Sequence, residues 1–233
     1  MRVAVISDIH GNLEALTRVI GRTRAEGVDA IVCLGDIVGY GPFPNECIDL
    51  VCHHCGIIVQ GNHDAGASED LSTHRFNSEG KAAITWTREI LTNTNRAFLQ
   101  NLPVSVVSGD MTFAHASPRE PENWEYIATW NTAAQVFGHF TTDYCCIGHT
   151  HIPVVIAADG KANTIRRGYK HLINAGSVGQ PRDGNPRAAF ALLDTSLPAV
   201  SIIRVEYDVS TTATAIRNAG LPEFLARRLE HGI

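Results

Sequence analysis

Residues 3–34 read VAVISDIHGNLEALTRVIGRTRAEGVDAIVCL and contain the pattern that decides the fold. Residues 3–6 and residues 30–34 are short apolar runs of the length that buried strands have. From residue 13 to residue 20, apolar side chains recur at the spacing of one helix face, and Asn12 is a suitable cap for that helix. A strand, a helix and a second strand in this order predict a βαβ unit with parallel strands.

Further strands and helices are expected in the rest of the chain. Apolar runs predict strands at residues 56–60, 110–115, 144–147, 154–158, 171–175, 188–193 and 200–207. Helical spacing predicts helices at residues 45–51, at residues 78–91 and after Pro222. Turn residues such as Asp183-Gly184 separate the last four strands without a helical pattern between them, which favours antiparallel hairpins. We therefore expect one α/β domain over residues 1–233, with two sheets packed face to face and helices outside.

Composition and charge exclude several classes of protein. With 44% hydrophobic and 18% charged residues among 233, the chain has an ordinary globular composition, not that of a coiled coil or a disordered tail. A net charge of −5 argues against a nucleic-acid binder, which would have a basic stripe. No apolar run has the length of a membrane span, and the run at residues 3–6 is too short for a signal peptide. A cytoplasmic protein without a membrane partner is the expectation.

The six cysteines are then expected to be reduced thiols. Cys33, Cys145 and Cys146 lie in apolar runs, which favours a core position for each. Cys52 and Cys55 flank two histidines and leave two alternatives open, a metal site or the end of a helix with solvated histidines. The helix end is favoured because no second pair of ligands follows at the spacing of a structural zinc site.

Polar side chains with metal-binding chemistry follow five of the predicted strands. In open parallel sheets, ligands bind beyond the carboxyl ends of the strands, so these side chains are expected to meet at one rim. Gly35, Gly61 and Gly148 each precede a candidate, and a glycine there would allow the tight turn that directs the next side chain inward. The candidates are Asp8, His10, Asp36, Asn62, His63, Asp64, His115, His149 and His151.

The residue types of this set indicate a metal centre. Imidazole nitrogen mixed with carboxylate and amide oxygen suits Mn, Fe or Zn, with Ni or Co as substitutes in vitro. Without His63 and Asp64, seven candidates remain, which is too many for one metal that keeps an open position. Two divalent ions that share one carboxylate account for this number.

The ordered motifs SDIHGN, GD, GNHD, AHASP and GHTH resemble those of the calcineurin-like metallophosphoesterase superfamily. The stretches GDIVGYGPFPNE and NAGSVGQPRDGNPRAAFALLD are similar to a small prokaryotic branch, whose members are often described as diadenosine-tetraphosphatase-related. The resemblance extends over nearly the whole chain. It implies a four-layer αββα sandwich with two mixed sheets, which agrees with the two sheets expected from the strand pattern.

The resemblance also implies a role for each matching residue. One metal would be bound by Asp8, His10, Asp36 and His151, and the other by Asp36, Asn62, His115 and His149, with Asp36 as the bridge. His63 would lie beside the metals without binding one and would donate to the phosphoryl or leaving oxygen. Asp64 would orient His63.

These roles lead to a hypothesis for the reaction. A phosphomonoester or phosphodiester of a small substrate, with nucleotides among the candidates, would be hydrolysed by in-line attack of a hydroxide held by the two metals. No covalent enzyme intermediate is expected. The alternative is a scaffold or binding module that kept the fold and lost turnover.

Two further features bear on the substrate. The protein phosphatases of the superfamily have Arg after the GD motif and Glu after GNH, whereas this chain has Tyr40 and Asp64 at those places, which argues against protein dephosphorylation. Arg182 could reach a substrate phosphate or could be a surface turn residue paired with Asp183. The three tryptophans are expected to be packing residues, and the sequence does not indicate an oligomeric state.

Overall fold

The computed structural model describes residues 1–68, 76–196 and 199–233. Within them it has two five-stranded sheets and eight α-helices. The strands are β1 (Arg2–Ile6), β2 (Ala30–Cys33), β3 (Ile57–Ile58), β4 (Ser105–Ser108), β5 (Met111–Ala114), β6 (Tyr144–Ile147), β7 (Val154–Ala157), β8 (His171–Asn174), β9 (Ala188–Asp194) and β10 (Ala199–Val205). The helices are α1 (Leu13–Ala25), α2 (Pro44–His54), α3 (Asn62–Ser68), α4 (Ser78–Ile90), α5 (Asn93–Gln100), α6 (Trp130–Val136), α7 (Val209–Asn218) and α8 (Glu223–His231).

Both sheets are mixed, as expected. The first sheet has the order β10-β9-β1-β2-β3, and the second has the order β4-β5-β6-β8-β7. In the first sheet β1 runs parallel to β2 and antiparallel to β9, and in the second β6 runs parallel to both β5 and β8. The hairpins expected late in the chain are present, because β7 pairs antiparallel with β8 and β9 with β10.

The alternation of side chains along β1 shows how the layers form. Val3 and Val5 face a core that lies between the two sheets, where they meet Phe113 of β5. Ala4 and Ile6 face the opposite way, into a second core formed with α1 and α2. On the far side of the molecule, α6 covers the outer face of the second sheet through a third cluster. The expected sandwich of two sheets between helical layers is therefore confirmed.

Several elements have weaker signals and were not expected from the sequence. They are α3, α5, α6, α7 and β4. Helix α7 shows why, since VSTTATAIRN is rich in threonine, which has a low helix propensity. Tertiary contacts stabilise it instead, because the buried Thr212 hydroxyl lies 3.1 Å from Asn12 Oδ1, the residue that caps α1 as expected.

The cysteines lie where the sequence favoured them. Cys33, Cys145 and Cys146 are buried. Helix α2 ends at His54, and the amide of Cys55 closes its last turn on the carbonyl of Val51 at 2.9 Å. Within the described ranges, no helix combines the length and the apolar character needed to cross a bilayer.

The core between the sheets makes a quantitative prediction. Phe113 is 2% exposed, so Phe113→Ala leaves a cavity there and should lower the free energy of unfolding by about 3–5 kcal/mol. Val107 of β4 is 66% exposed, and Val107→Ala is the matched control, with an expected change within about 0.5 kcal/mol. Urea denaturation measures both. Equal effects of the two substitutions would contradict this position of the core.

Candidate metal centre

The ends of four strands and the start of α3 bring the seven proposed ligands together. Asp8 and His10 follow β1 and Asp36 follows β2, both in the first sheet, whereas His115 follows β5 and His149 and His151 follow β6 in the second. Asn62 is the first residue of α3. Six of the seven are buried and Asn62 is half-buried. The site therefore lies where the parallel strands of both sheets end, as the sequence predicted.

The side chains form two groups with the spacing of metal ligands. Atoms of Asp8, His10 and His151 lie within 4.8 Å of one another, with His151 Nε2 at 3.2 Å from Asp8 Oδ1. Atoms of Asp36, His115 and His149 form a second group of the same size.

Asp36 lies between these two groups. Its Oδ2 is 3.3 Å from His115 Nε2 and 3.6 Å from His10 Nε2. Asn62 Oδ1 lies 3.2 Å from His115 Nε2, on the side of the second group. The carboxylate of Asp36 thus approaches a ring nitrogen of each group, and it lies closer to His115 than Asp8 Oδ1 does, at 4.0 Å.

Backbone carbonyls hold three of the imidazole rings. The Nδ1 atoms of His10, His115 and His151 lie 3.1, 2.8 and 2.5 Å from the carbonyls of Val38, Leu34 and Gln180. A carbonyl only accepts, so each Nδ1 carries the hydrogen and each Nε2 faces the centre. In His10 and His151 the two Nε2 atoms are 3.1 Å apart with no hydrogen to share, and a cation is the partner that this geometry suits.

Unpartnered buried atoms provide a test of whether the residues fit a metal. Asp8 Oδ1 and His149 Nε2 are buried and have no hydrogen-bond partner among the described residues. Leaving such groups unsatisfied is costly, and coordination of a divalent ion would satisfy both. The donor set also has the nitrogen and oxygen mixture that transition metals take. The residues therefore fit the group.

The charge states agree with this fit. Burial lowers the pKa of His149 to about 3, which leaves its imidazole neutral and able to coordinate. Burial would also lower the pKa of His115, but Asp36 and Asp8 outweigh it and raise that pKa to about 9. A cation bound at this position would replace the proton on His115, since ligands must be deprotonated.

Backbone strain is concentrated in the same residues. Asp8, His10, Asp36, His149 and His151 have φ between 51° and 66°, in the left-handed region that residues other than glycine rarely adopt. Each such residue costs about 1–3 kcal/mol, and such strain clusters at functional sites. Backbone hydrogen bonds between the loops hold the conformation, among them His10 N–H to the carbonyl of Asp36 at 2.9 Å.

Two of the three glycines expected to turn the chain have a different role. Gly35 has φ of +88°, as a tight turn requires. Gly61 and Gly148 do not have positive φ, and what each allows is close approach. A Cβ at Gly61 would overlap the Asp36 carboxylate, and one at Gly148 would lie 2.5 Å from Asp8 Oδ2.

His63 lies beside the centre, whereas Asp64 does not orient it. The His63 amide donates to Asp36 Oδ1 at 2.8 Å, and its ring Nδ1 has no partner among the described residues. Asp64 uses its oxygens for backbone amides, Oδ1 for Ile37 and Val38 and Oδ2 for Gly61. The expectation that Asp64 orients His63 is therefore wrong: this buried carboxylate joins the loop after β2 to the loop before α3.

A further group of possible ligands includes His63. Ligand atoms of His10, Asp36 and His63 also lie within 4.8 Å of one another. Burial lowers the pKa of His63 to about 4, so its ring is neutral at pH 7. His63 therefore has the position and the charge state of a possible ligand as well as those of a neutral hydrogen-bond donor.

A cavity of about 710 Å³ opens directly above these residues. His63, Asn62 and His149 line one end, and Arg182 lines the wall. The alternative of a surface arginine paired with Asp183 is wrong, because Asp183 pairs with Arg204. Residues of the cavity that the sequence did not indicate include Phe76, Trp124, Tyr126 and Arg228.

Comparison with known proteins agrees with this geometry. Residues 1–197 match the family model described as the calcineurin-like phosphoesterase superfamily domain. The chain belongs to this superfamily. The resemblance stated from the motifs is therefore confirmed.

The relatives span nearly the whole chain. An uncharacterized protein of Methanocaldococcus jannaschii is 40% identical over 97% of this chain and 96% of its own length. The phosphodiesterase YfcE of Escherichia coli is 27% identical over 86% of this chain and 91% of its own. The crystal structure of a metallophosphoesterase from Sphaerobacter thermophilus has a TM-score of 0.89 at 41% identity, covering 100% of this chain and 99% of that one.

The close approach at Gly148 predicts a specific loss. Gly148→Ala should displace Asp8 and weaken Mn²⁺ binding roughly 10–100-fold, the range seen when residues that position metal ligands are changed. Gly138→Ala is the control, because a Cβ there meets nothing within 4 Å. Titration calorimetry with Mn²⁺ measures both, with thermal melting to confirm folding. A folded Gly148→Ala protein with unchanged affinity would contradict the inferred clash.

Proposed function

We propose that this protein is a phosphoesterase with two divalent metal ions, Mn, Fe or Zn, and that it hydrolyses phosphomonoester or phosphodiester bonds of small substrates, including nucleotides. The observation that carries the proposal is the position of Asp36 between two groups of buried ligands at the end of an open cavity. A phosphate ester fits that arrangement because its anionic oxygens suit both the cations and the arginine on the wall.

The ligands divide between the two ions as follows. Asp8, His10 and His151 would hold one ion, and His115, His149 and Asn62 the other, with Asp36 contributing to both. The carbonyls of Val38, Leu34 and Gln180 orient three of these rings before any ion arrives. When bound, two such ions supply Lewis-acid stabilisation of the phosphoryl oxygens and lower the pKa of a coordinated water to near 7.

The size of the rate acceleration shows why the proposed metals are needed. Enzymes accelerate phosphate-monoester hydrolysis by up to about 10²¹-fold, whereas a positioned general acid contributes about 10²–10⁴-fold. His63 by itself therefore cannot account for the reaction. Its neutral ring still has one N–H, which can donate to a phosphoryl oxygen or to the leaving oxygen.

The rest of the cavity suits the organic part of an ester. Tyr126 lies over the His149 ring with the ring centroids 3.9 Å apart, and Trp124 lies 6.0 Å from the His115 ring. Trp124 is thus more than the packing residue expected from the sequence, since it also lines the cavity. The name of the E. coli relative, a phosphodiesterase, supports including diesters.

Metal content and turnover test the proposal together. The protein should bind two Mn²⁺ per chain and hydrolyse p-nitrophenyl phosphate or bis-p-nitrophenyl phosphate, and a chelator should abolish the activity. Asp36→Ala should lose both ions, because Asp36 Oδ2 approaches a ring nitrogen of each ligand group. Asn62→Ala should retain one, because Asn62 lies on the side of the second group. Elemental analysis measures the ions. If Mn, Fe and Zn all fail to support turnover of either ester, the scaffold alternative is favoured.

His63 provides a second test. His63→Ala should lower kcat roughly 10²–10⁴-fold, the usual contribution of a positioned proton donor, while both ions stay bound. His139, exposed and outside the cavity, provides the matched control His139→Ala, which should retain full activity. Loss of an ion from His63→Ala would show instead that His63 is a ligand, as the group with His10 and Asp36 allows.

A further inference from the structure

Two guanidinium groups reach the cavity from distant parts of the chain. Arg182 lies in the loop between β8 and β9, and Arg228 lies on α8. Both are half-buried. Helix α8 lies beyond residues 1–197, the part that matches the family model.

Neither charge is neutralised within the described residues. No Asp or Glu carboxylate there lies within 4.0 Å of either guanidinium, although a main-chain oxygen of Ile233, the last residue of the sequence, contacts Arg228. Glu122 lines the cavity, and the negative charge of Glu79 acts on Arg228. Arg182 uses one terminal nitrogen for Gln180 Oε1 at 2.8 Å, and its buried Nε has no partner there.

Arg228 also keeps donors for a ligand. Its Nε donates to the carbonyl of Ile233 at 2.5 Å, and within the described ranges its two terminal nitrogens have no hydrogen-bond acceptor. Its Cζ lies over the ring of Phe224, 5.1 Å from the ring centroid. The side chain is therefore held through its Nε, and its terminal nitrogens are available to a ligand.

The two cations act on each other. Burial, and then the positive charge of Arg182, lowers the pKa of Arg228 to about 10, so Arg228 remains charged at pH 7. Tyr40 lies close to both, with its ring centroid 5.9 Å from Arg182 Cζ. Two like charges in a half-buried cavity, neither of them in an ion pair with an Asp or Glu of the described residues, form a site for an anion. Guanidinium groups bind phosphate by paired hydrogen bonds.

The arrangement orders the two arginines along the cavity. Arg182 donates to the side chain of Gln180 at 2.8 Å, and the main-chain carbonyl of Gln180 accepts from His151 Nδ1, which places Arg182 beside the candidate metal ligands. Arg228 acts on Tyr40 and lies on the side of Phe224 and Ile233. A phosphate bound at the candidate metal ligands would lie close to Arg182. A second phosphate, further along the cavity toward α8, could contact both Arg182 and Arg228.

We propose that Arg182 and Arg228 together bind a second phosphate group of the substrate, next to the one that is hydrolysed. This rests on the proposed function, and it narrows the substrate class to phosphoanhydrides and bisphosphorylated compounds. Arg228 is then a specificity-determining residue supplied by α8.

A matched pair of probes tests this without turnover. Methylphosphonate carries one anionic group and methylenebisphosphonate carries two, and neither is hydrolysed. Titration calorimetry at constant free Mn²⁺ should show tighter binding of methylenebisphosphonate to the unmodified protein. Arg228→Gln should weaken that binding roughly 10- to 100-fold, as expected when charged hydrogen bonds are lost, and should leave methylphosphonate binding nearly unchanged.

The control lies on the same helix. Arg227→Gln makes the same change of charge at an exposed residue outside the cavity and should have no effect on either probe. Arg228→Lys keeps the charge without the planar fork and should give an intermediate affinity. Thermal melting of each variant separates a structural role of Arg228 from a binding role.

The outcomes separate this inference from the proposed function. The second-phosphate site is contradicted if a folded Arg228→Gln protein binds both probes as tightly as the unmodified protein does. It is also contradicted if the substitution weakens the binding of both probes equally. Either result holds whatever the esterase activity is. If the unmodified protein shows no turnover with any metal but the two variants differ as expected, the proposed function fails and the anion site stands.

Discussion

The carboxylate of Asp36 is the constraint on which the rest of the site depends. One oxygen accepts the amide of His63, and the other faces His10 and His115 from the two ligand groups. A buried carboxylate is stable only when its charge is compensated, so the imidazoles and amides around it cannot vary independently. Gly61 must also remain small, because a Cβ there would overlap this carboxylate.

The packing of the two sheets offsets the free-energy cost of the strained residues in the site. Five ligand residues in the left-handed region cost several kcal/mol together, and buried atoms without partners add to that cost. The apolar core between the sheets and the hydrogen bonds of Asp64 to two loops offset it. The strain persists because the surrounding structure leaves the loops no alternative conformation. The candidate ligands are therefore held in position before an ion binds.

The cavity above the ligands is built from less regular parts of the chain. Trp124 and Tyr126 belong to a segment that an ion pair between Arg119 and Glu125, at 2.6 Å, closes on itself. Trp124 has φ of 53°, which is unusual for a bulky side chain. Helix α8 contributes Arg228 from the opposite end of the chain. The candidate ligands thus come mainly from the ends of strands, and the walls come from segments outside the sheets.

The sequence by itself determined most strands of the sheets, the set of candidate ligands and the place where these side chains meet, because strand ends and ligand types are local properties of short motifs. Only the tertiary structure decided that Asp64 joins two loops instead of orienting His63, and that Gly148 is needed for close approach to Asp8. It also decided that Arg228, and not the adjacent Arg227, enters the cavity. These depend on distances between segments far apart in the chain, and no local pattern encodes such distances.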